Sequence, residues 1–152
     1  MTQEAFIKVL EEKGYSYEMM GDSVVVNGGD RKGNVDLLFL TSLPPGVVFK
    51  NGGFVGLEDH TSLPSGVVFK NGGFVSFGSL TSLPTDVVFK NGGFVSFGSL
   101  TSLPTDVVFK NEGDISFKSL EGEWFSNWKG NIEGIDSKRL LNMMISKGIF
   151  ER

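Results

Sequence analysis

The residues of this chain that could do chemistry recur in columns. Lys50, Lys70, Lys90 and Lys110 come every 20 residues, as do Asn51, Asn71, Asn91 and Asn111, while Phe54, Phe74 and Phe94 keep the same interval. A stacked lysine column could attract an anion, a nucleotide or an acidic partner; the plainer role is a solvated edge that keeps one sheet from pairing with another. The asparagines suit a side-chain amide ladder that holds the turns. His60 is the only histidine and there is no cysteine. It therefore cannot by itself anchor a metal site or a nucleophilic triad, and an edge or corner position suits it better. Glu58, Asp59, Asp86 and Asp106 offer carboxylates, but Asp86 and Asp106 hold equivalent repeat positions in turn-forming segments, the ordinary place for aspartate. The Asn-Gly-Gly triplets open no helix, so they make no phosphate loop. Catalysis brings different residues to one point, whereas near-identical copies present one residue many times. The expectation is a protein that is not an enzyme and needs no cofactor.

Composition narrows the partners. The chain has 152 residues, 14 basic and 18 acidic, for a formal charge of −4. That balance lacks the basic face that nucleic-acid binding needs, and the length suits one domain. Without cysteine the fold does not depend on an oxidising compartment, and residues 1–13 carry three glutamates with no unbroken apolar core, unlike a signal peptide or a membrane span. A reducing cytoplasm is the expected location. Twenty-one glycines beside 14 phenylalanines reconcile in a turn-dense β fold.

The elements that must position these columns follow from the repeat. Residues 81–100 read TSLPTDVVFKNGGFVSFGSL, and 61–80 differ only at Ser65 and Gly66. Residues 41–60 and 101–120 are diverged copies, and Val24, Val25, Val26 with Asn34, Val35, Asp36 and Leu37 echo a fifth. Units this short cannot close a core alone, so each buries its apolar side against its neighbours. The expected fold is mainly β: a short right-handed β-solenoid of 20-residue coils in parallel stacking. In each coil VVFK and FVSF are strands, Asn-Gly-Gly turns between them, and Ser-Leu-Pro turns the chain back. Asn-Gly between strands is also a hairpin signal, so a meander or barrel competes. In-register stacking of identical side chains about 4.8 Å apart favours the solenoid, since a barrel would fit identical units into unlike positions.

Leu-Thr-Ser-Leu-Pro, beginning at Leu40, Leu80 and Leu100 and followed by two V-x-F strands, resembles the short leucine-rich repeats of bacterial effector proteins. It resembles still more the LTSLP repeat proteins of bacteriophage and bacterial genomes. The likeness covers about residues 40–120, with Gly98 and Ser99 where the effector repeats carry an asparagine. It implies a binding protein in the host cytoplasm, where a phage-encoded chain would inhibit a host defence protein by occlusion.

Three parts follow: an N-terminal helix-hairpin cap with a degenerate first coil over 1–39, four repeats over 40–119, and a C-terminal cap over 120–152 with a helix at about 137–147. Strand alternation turns Val87, Phe89, Val95 and Phe97 inward with Leu80 and Leu83, and leaves Val88, Lys90, Phe94 and Ser96 outside. Phe54, Phe74 and Phe94 then form an apolar stripe bounded by Asn34 and Asp114, a pattern typical of binding sites. A pleat shifted by one residue would instead bury these rings and expose Val55, Val75 and Val95. The binding residues expected are Phe54, Phe74, Phe94, the four lysines, and Trp124 with Trp128. The partner expected is a protein; the alternative is a binder or sponge of a small anionic ligand such as a nucleotide. Self-association is a further option.

Overall fold

The computed structural model describes residues 1–101, 108–113 and 115–117 of the chain. The C-terminal cap, with Trp124, Trp128 and the helix expected at 137–147, lies outside the described residues, as do Asp106 and Asp114.

Two parallel sheets run along the molecule, and each coil adds one strand to each. The first sheet contains β2 (Ser23–Val26), β4 (Val48–Phe49), β6 (Val68–Phe69), β8 (Val88–Phe89) and β10 (Val108–Phe109) in that order. The second contains β3 (Val35–Asp36), β5 (Val55–Gly56), β7 (Val75–Phe77), β9 (Val95–Phe97) and β11 (Ile115–Phe117). Register follows the repeat: Phe49 pairs with Phe69, Phe69 with Phe89, and Val75 with Val95. The chain is thus a parallel β-solenoid, and the hairpin meander is excluded. The one antiparallel pair among the described residues joins β1 (Tyr17–Met20) to β2 through a two-residue turn whose Gly21 takes φ +62°. Glycine at the first turn position suits such a tight hairpin.

The degenerate first coil belongs to the solenoid. Val25 pairs with Val48 and Val35 with Val55, so the echo in the sequence is a true coil. Its longer corner is held by Asp30, whose carboxylate accepts from the backbone N–H of Lys32 at 2.9 Å and of Asn34 at 3.0 Å. Below it lies α1 (Gln3–Lys13), begun by Thr2, whose hydroxyl accepts from the Ala5 N–H, and stopped by Gly14 at φ +73°. Its Phe6 and Leu10 are buried and close the end of the core.

Alternation places the interior as the sequence implies. Val87, Phe89, Val95, Phe97 and Leu80 are sealed from solvent and Leu83 nearly so. Phe49, Phe69, Phe89 and Phe109 form one internal stack, with centroids 5.2, 5.1 and 5.0 Å apart. Phe77 and Phe97 form another, meeting the first edge-on at 5.8–6.2 Å. Both arrangements are ones the aromatic quadrupole favours.

The asparagine column holds the corners, though through the backbone rather than from amide to amide. Asn71 Nδ2 lies 3.0 Å from the Gly53 carbonyl of the preceding coil and 3.1 Å from those of Gly73 and Phe74 in its own. Asn51 and Asn91 repeat this pattern. The amide oxygens of all four are buried and accept no hydrogen bond among the described residues. Replacing Asn71 by alanine removes the amide that gathers these carbonyls and should cost about 1–3 kcal/mol. Urea unfolding would measure it, and a loss under about 0.5 kcal/mol would mean that the glycine turn holds itself.

Candidate functional site

Each coil turns at Asn-Gly-Gly, and that corner determines what its two sides display. The asparagine points inward. On one side, at the end of the first-sheet strand, Lys50, Lys70, Lys90 and Lys110 are exposed. On the other, at the start of the second-sheet strand, Phe54 and Phe74 are half-buried and Phe94 is 44% exposed. Val55, Val75 and Val95 are fully buried, so the shifted pleat is excluded and the rings stand outside the core.

The outer rings form an ordered stack. Phe54 and Phe74 have centroids 4.9 Å apart with planes 15° from parallel; Phe74 and Phe94 are 4.7 Å apart and 4° from parallel. The stack begins above Asn34, whose side-chain oxygen accepts from the Phe54 N–H at 3.1 Å. Beside it the outward column of the second sheet reads Asp36, Gly56, Ser76 and Ser96, with the Glu58 carboxylate accepting from the Ser76 hydroxyl.

The lysine column carries like charges on neighbouring rungs. Lys50, Lys70 and Lys90 make no ion pair among the described residues, and charges about 5 Å apart in water repel by somewhat under about 1 kcal/mol per pair. Replacing Lys70 by serine should therefore raise stability by a few tenths of a kcal/mol at low salt, and the gain should shrink at about 1 M salt, where screening acts within about 3 Å. Melting curves at the two salt concentrations check this. Val48, Val68 and Val88 run beside the lysines as a half-buried apolar column.

The remaining candidates do not assemble into a site. Glu58 has no acid-base partner: its carboxylate accepts from the Ser76 hydroxyl of the next coil. Asp59 and Asp86 are exposed, and no cluster of three or more metal-ligating side chains exists among the described residues. His60 is not at an edge. It fills the corner rung that Leu40, Leu80 and Leu100 fill in other coils, fully buried, with neither ring nitrogen completing a hydrogen bond. Burial pushes its imidazole down to about 4, against the weaker opposing pull of the Ser42 backbone and Asp59.

Sequence reasoning missed two exposed patches. Leu38 and Phe39 protrude at the first coil, with the Lys13 ammonium 4.6 Å from the Phe39 ring centre. Met19 and Met20 protrude from the edge strand β1, and Met20 borders an open hollow of about 200 Å³ shared with Lys50 and Lys70. Their signal was present in the sequence as apolar residues where the repeat breaks down. A second hollow, of about 500 Å³, lies between Gln3, Asp22 and the Pro44-Pro45 corner and has Asp22 as its charged side chain. No helix among the described residues is long and apolar enough to cross a membrane. No family model, curated protein or solved structure matches the chain.

Proposed function

We propose that this protein is a non-catalytic binding module that presents its repeat-built surface to another protein. The observation that carries the reading is the outer stack of Phe54, Phe74 and Phe94, three aromatic rings held in register outside a core that is already complete. A solvent-facing apolar stripe beside polar groups costs a lone protein solubility and is useful when a partner covers it. The lysine column borders the same corners; Trp124 and Trp128, proposed as binding residues from the sequence, lie outside the described residues. Following the resemblance to LTSLP repeat proteins of phage and bacteria, the partner is a host defence protein in the cytoplasm and the effect is inhibition by occlusion. A pull-down from bacterial lysate tests this. The wild-type protein should retain a partner that the Phe54→Ser/Phe74→Ser/Phe94→Ser variant loses while keeping its melting temperature within a few degrees. Equal retention by both would overturn the stripe as the binding surface.

The alternative, a sponge for a small anion such as a nucleotide, is favoured by the lysine column alone. Beside Lys50 and Lys70 the hollow measures only about 200 Å³, and ligand pockets usually enclose about 300–1,000 Å³. Small-molecule capture therefore ranks below a macromolecular partner.

A further inference from the structure

The lysine column and the phenylalanine stack border one continuous edge of the solenoid. In each coil the two are four residues apart, Lys50 and Phe54, Lys70 and Phe74, Lys90 and Phe94, so their Cα atoms lie within about 14 Å of each other. Between them the asparagine is turned inward, and Gly52, Gly72 and Gly92 are exposed. At the last two no side chain fits. A Cβ on Gly72 would come to 2.4 Å from the Gly52 carbonyl oxygen, and one on Gly92 to 2.5 Å from that of Gly72. The stacking of coils thus leaves a strip of bare backbone at the corner, with the lysine column leading into it from the first sheet and the phenylalanine column leaving it into the second.

The lysine column supplies the charge that selects an anionic partner. Lys50, Lys70 and Lys90 make no ion pair among the described residues. The three rings spend their faces on one another at 4.7–4.9 Å, so their edges, where the aromatic quadrupole is positive, look outward. This arrangement leaves few ring faces for nucleobases to stack on, which disfavours single-stranded nucleic acid. It suits carboxylates and the aliphatic carbons beside them.

Spacing chooses the backbone that carries those carboxylates. Rungs of the ladder advance 4.7–5.3 Å, read from the stacked rings. An α-helix repeats a face about every 5.4 Å, whereas an extended strand repeats one only about every 6.6–6.8 Å. A helix about 10–12 Å across is of the same order as that upper bound of about 14 Å between lysine and phenylalanine Cα atoms. We propose that this edge receives an acidic, amphipathic α-helix of a partner protein, with carboxylates on successive turns facing Lys50, Lys70 and Lys90 and apolar side chains against Phe54, Phe74 and Phe94. This rests on the binding reading above and names the kind of partner.

The test is fluorescence anisotropy with a labelled alanine-based helix of about five turns, bearing glutamate at i, i+4, i+7 and i+11 and leucine along the adjacent stripe. Two comparison probes are a peptide of the same composition broken by prolines and an oligo-dT of similar length. Wild-type protein should bind the helix at least about tenfold tighter than either comparison probe, with affinity falling several-fold between about 50 and 300 mM salt. Lys70→Glu/Lys90→Glu should weaken binding by at least about tenfold, and Lys70→Gln/Lys90→Gln, which adds no new charge, by a smaller but clear factor. Phe74→Ser/Phe94→Ser should weaken it without changing the salt dependence. The inference is overturned if the helix does not bind, if charge reversal leaves its affinity unchanged, or if the broken peptide or oligo-dT binds as tightly. In the last case the edge is a general polyanion surface, and the pull-down with the triple phenylalanine variant still decides the binding reading on its own.

Discussion

Phe89→Ala should lose about 3–5 kcal/mol of folding free energy, while Phe94→Ser, five residues away, should lose less than about 1 kcal/mol. The contrast comes from the two sides of one coil. Phe89 is sealed from solvent, stacks on Phe69 at 5.1 Å and Phe109 at 5.0 Å, and meets Phe77 and Phe97 edge-on at 6.2 and 6.0 Å. Removing it opens a cavity that collapses poorly, because Phe69 is itself stacked on Phe49 at 5.2 Å and Phe77 on Phe97 at 5.3 Å. Phe94 stacks on Phe74 at 4.7 Å and is 44% exposed. A loss of that size is a large share of the roughly 5–15 kcal/mol that holds an ordinary domain together. The variant should therefore show a far lower urea midpoint, with an unchanged slope if unfolding stays cooperative. Comparable losses at both positions would mean that the outer stack is structural, and the binding reading would lose its main support.

His60→Leu should stabilise the protein at neutral pH and more so in acid. In the fold the imidazole is held neutral, at about 4, against about 6.5 in an unfolded chain. Well above about pH 6.5 both states are neutral and the pair of values adds nothing. As pH falls from about 6.5 toward about 4 the unfolded chain takes up the proton first, so folding loses stability, and below about 4 the folded state is protonated as well and the loss levels off. The total is on the order of 3 kcal/mol. Leucine, which Leu40, Leu80 and Leu100 show to be the ordinary occupant of that rung, also removes two buried nitrogens that complete no hydrogen bond. A gain of about 1–3 kcal/mol at neutral pH follows from that alone. Unfolding wild type and variant side by side from neutral pH down to about pH 4 isolates the histidine from the carboxylates, which the two proteins share. Parallel pH profiles would show that the ring gains a partner or water on protonation and that burial does not govern it.

Much of the surface is legible in the repeat, because stacking converts a period along the chain into a column in space. That is why the lysine, asparagine and phenylalanine columns can be read from the residues alone. The role of individual atoms cannot. The asparagines are readable as turn holders, yet their bonds run to carbonyls of Gly53, Gly73 and Phe74, a choice made by how closely glycine lets the coils approach. For His60 the sequence suggests an edge or a corner, because a lone polar residue is usually exposed, and the fold puts it at the corner but buried. Its burial follows from register: position 60 shares its rung with Leu40, Leu80 and Leu100, and that rung faces the core in each of these coils.

The repeat by itself favours a parallel solenoid over a meander or barrel and marks an extra first coil, because near-identical 20-residue units fit best into equivalent stacked positions that bury their apolar faces on one another. Which side of the pleat Phe54, Phe74 and Phe94 occupy is settled by the folded coils, since a shift of one residue through the corner would have satisfied the same alternation. The folded coils also bring lysine and phenylalanine to one edge with bare glycine between them. That juxtaposition depends on the turn angle at Asn-Gly-Gly and on the contact distance between stacked backbones, quantities that no residue pattern states.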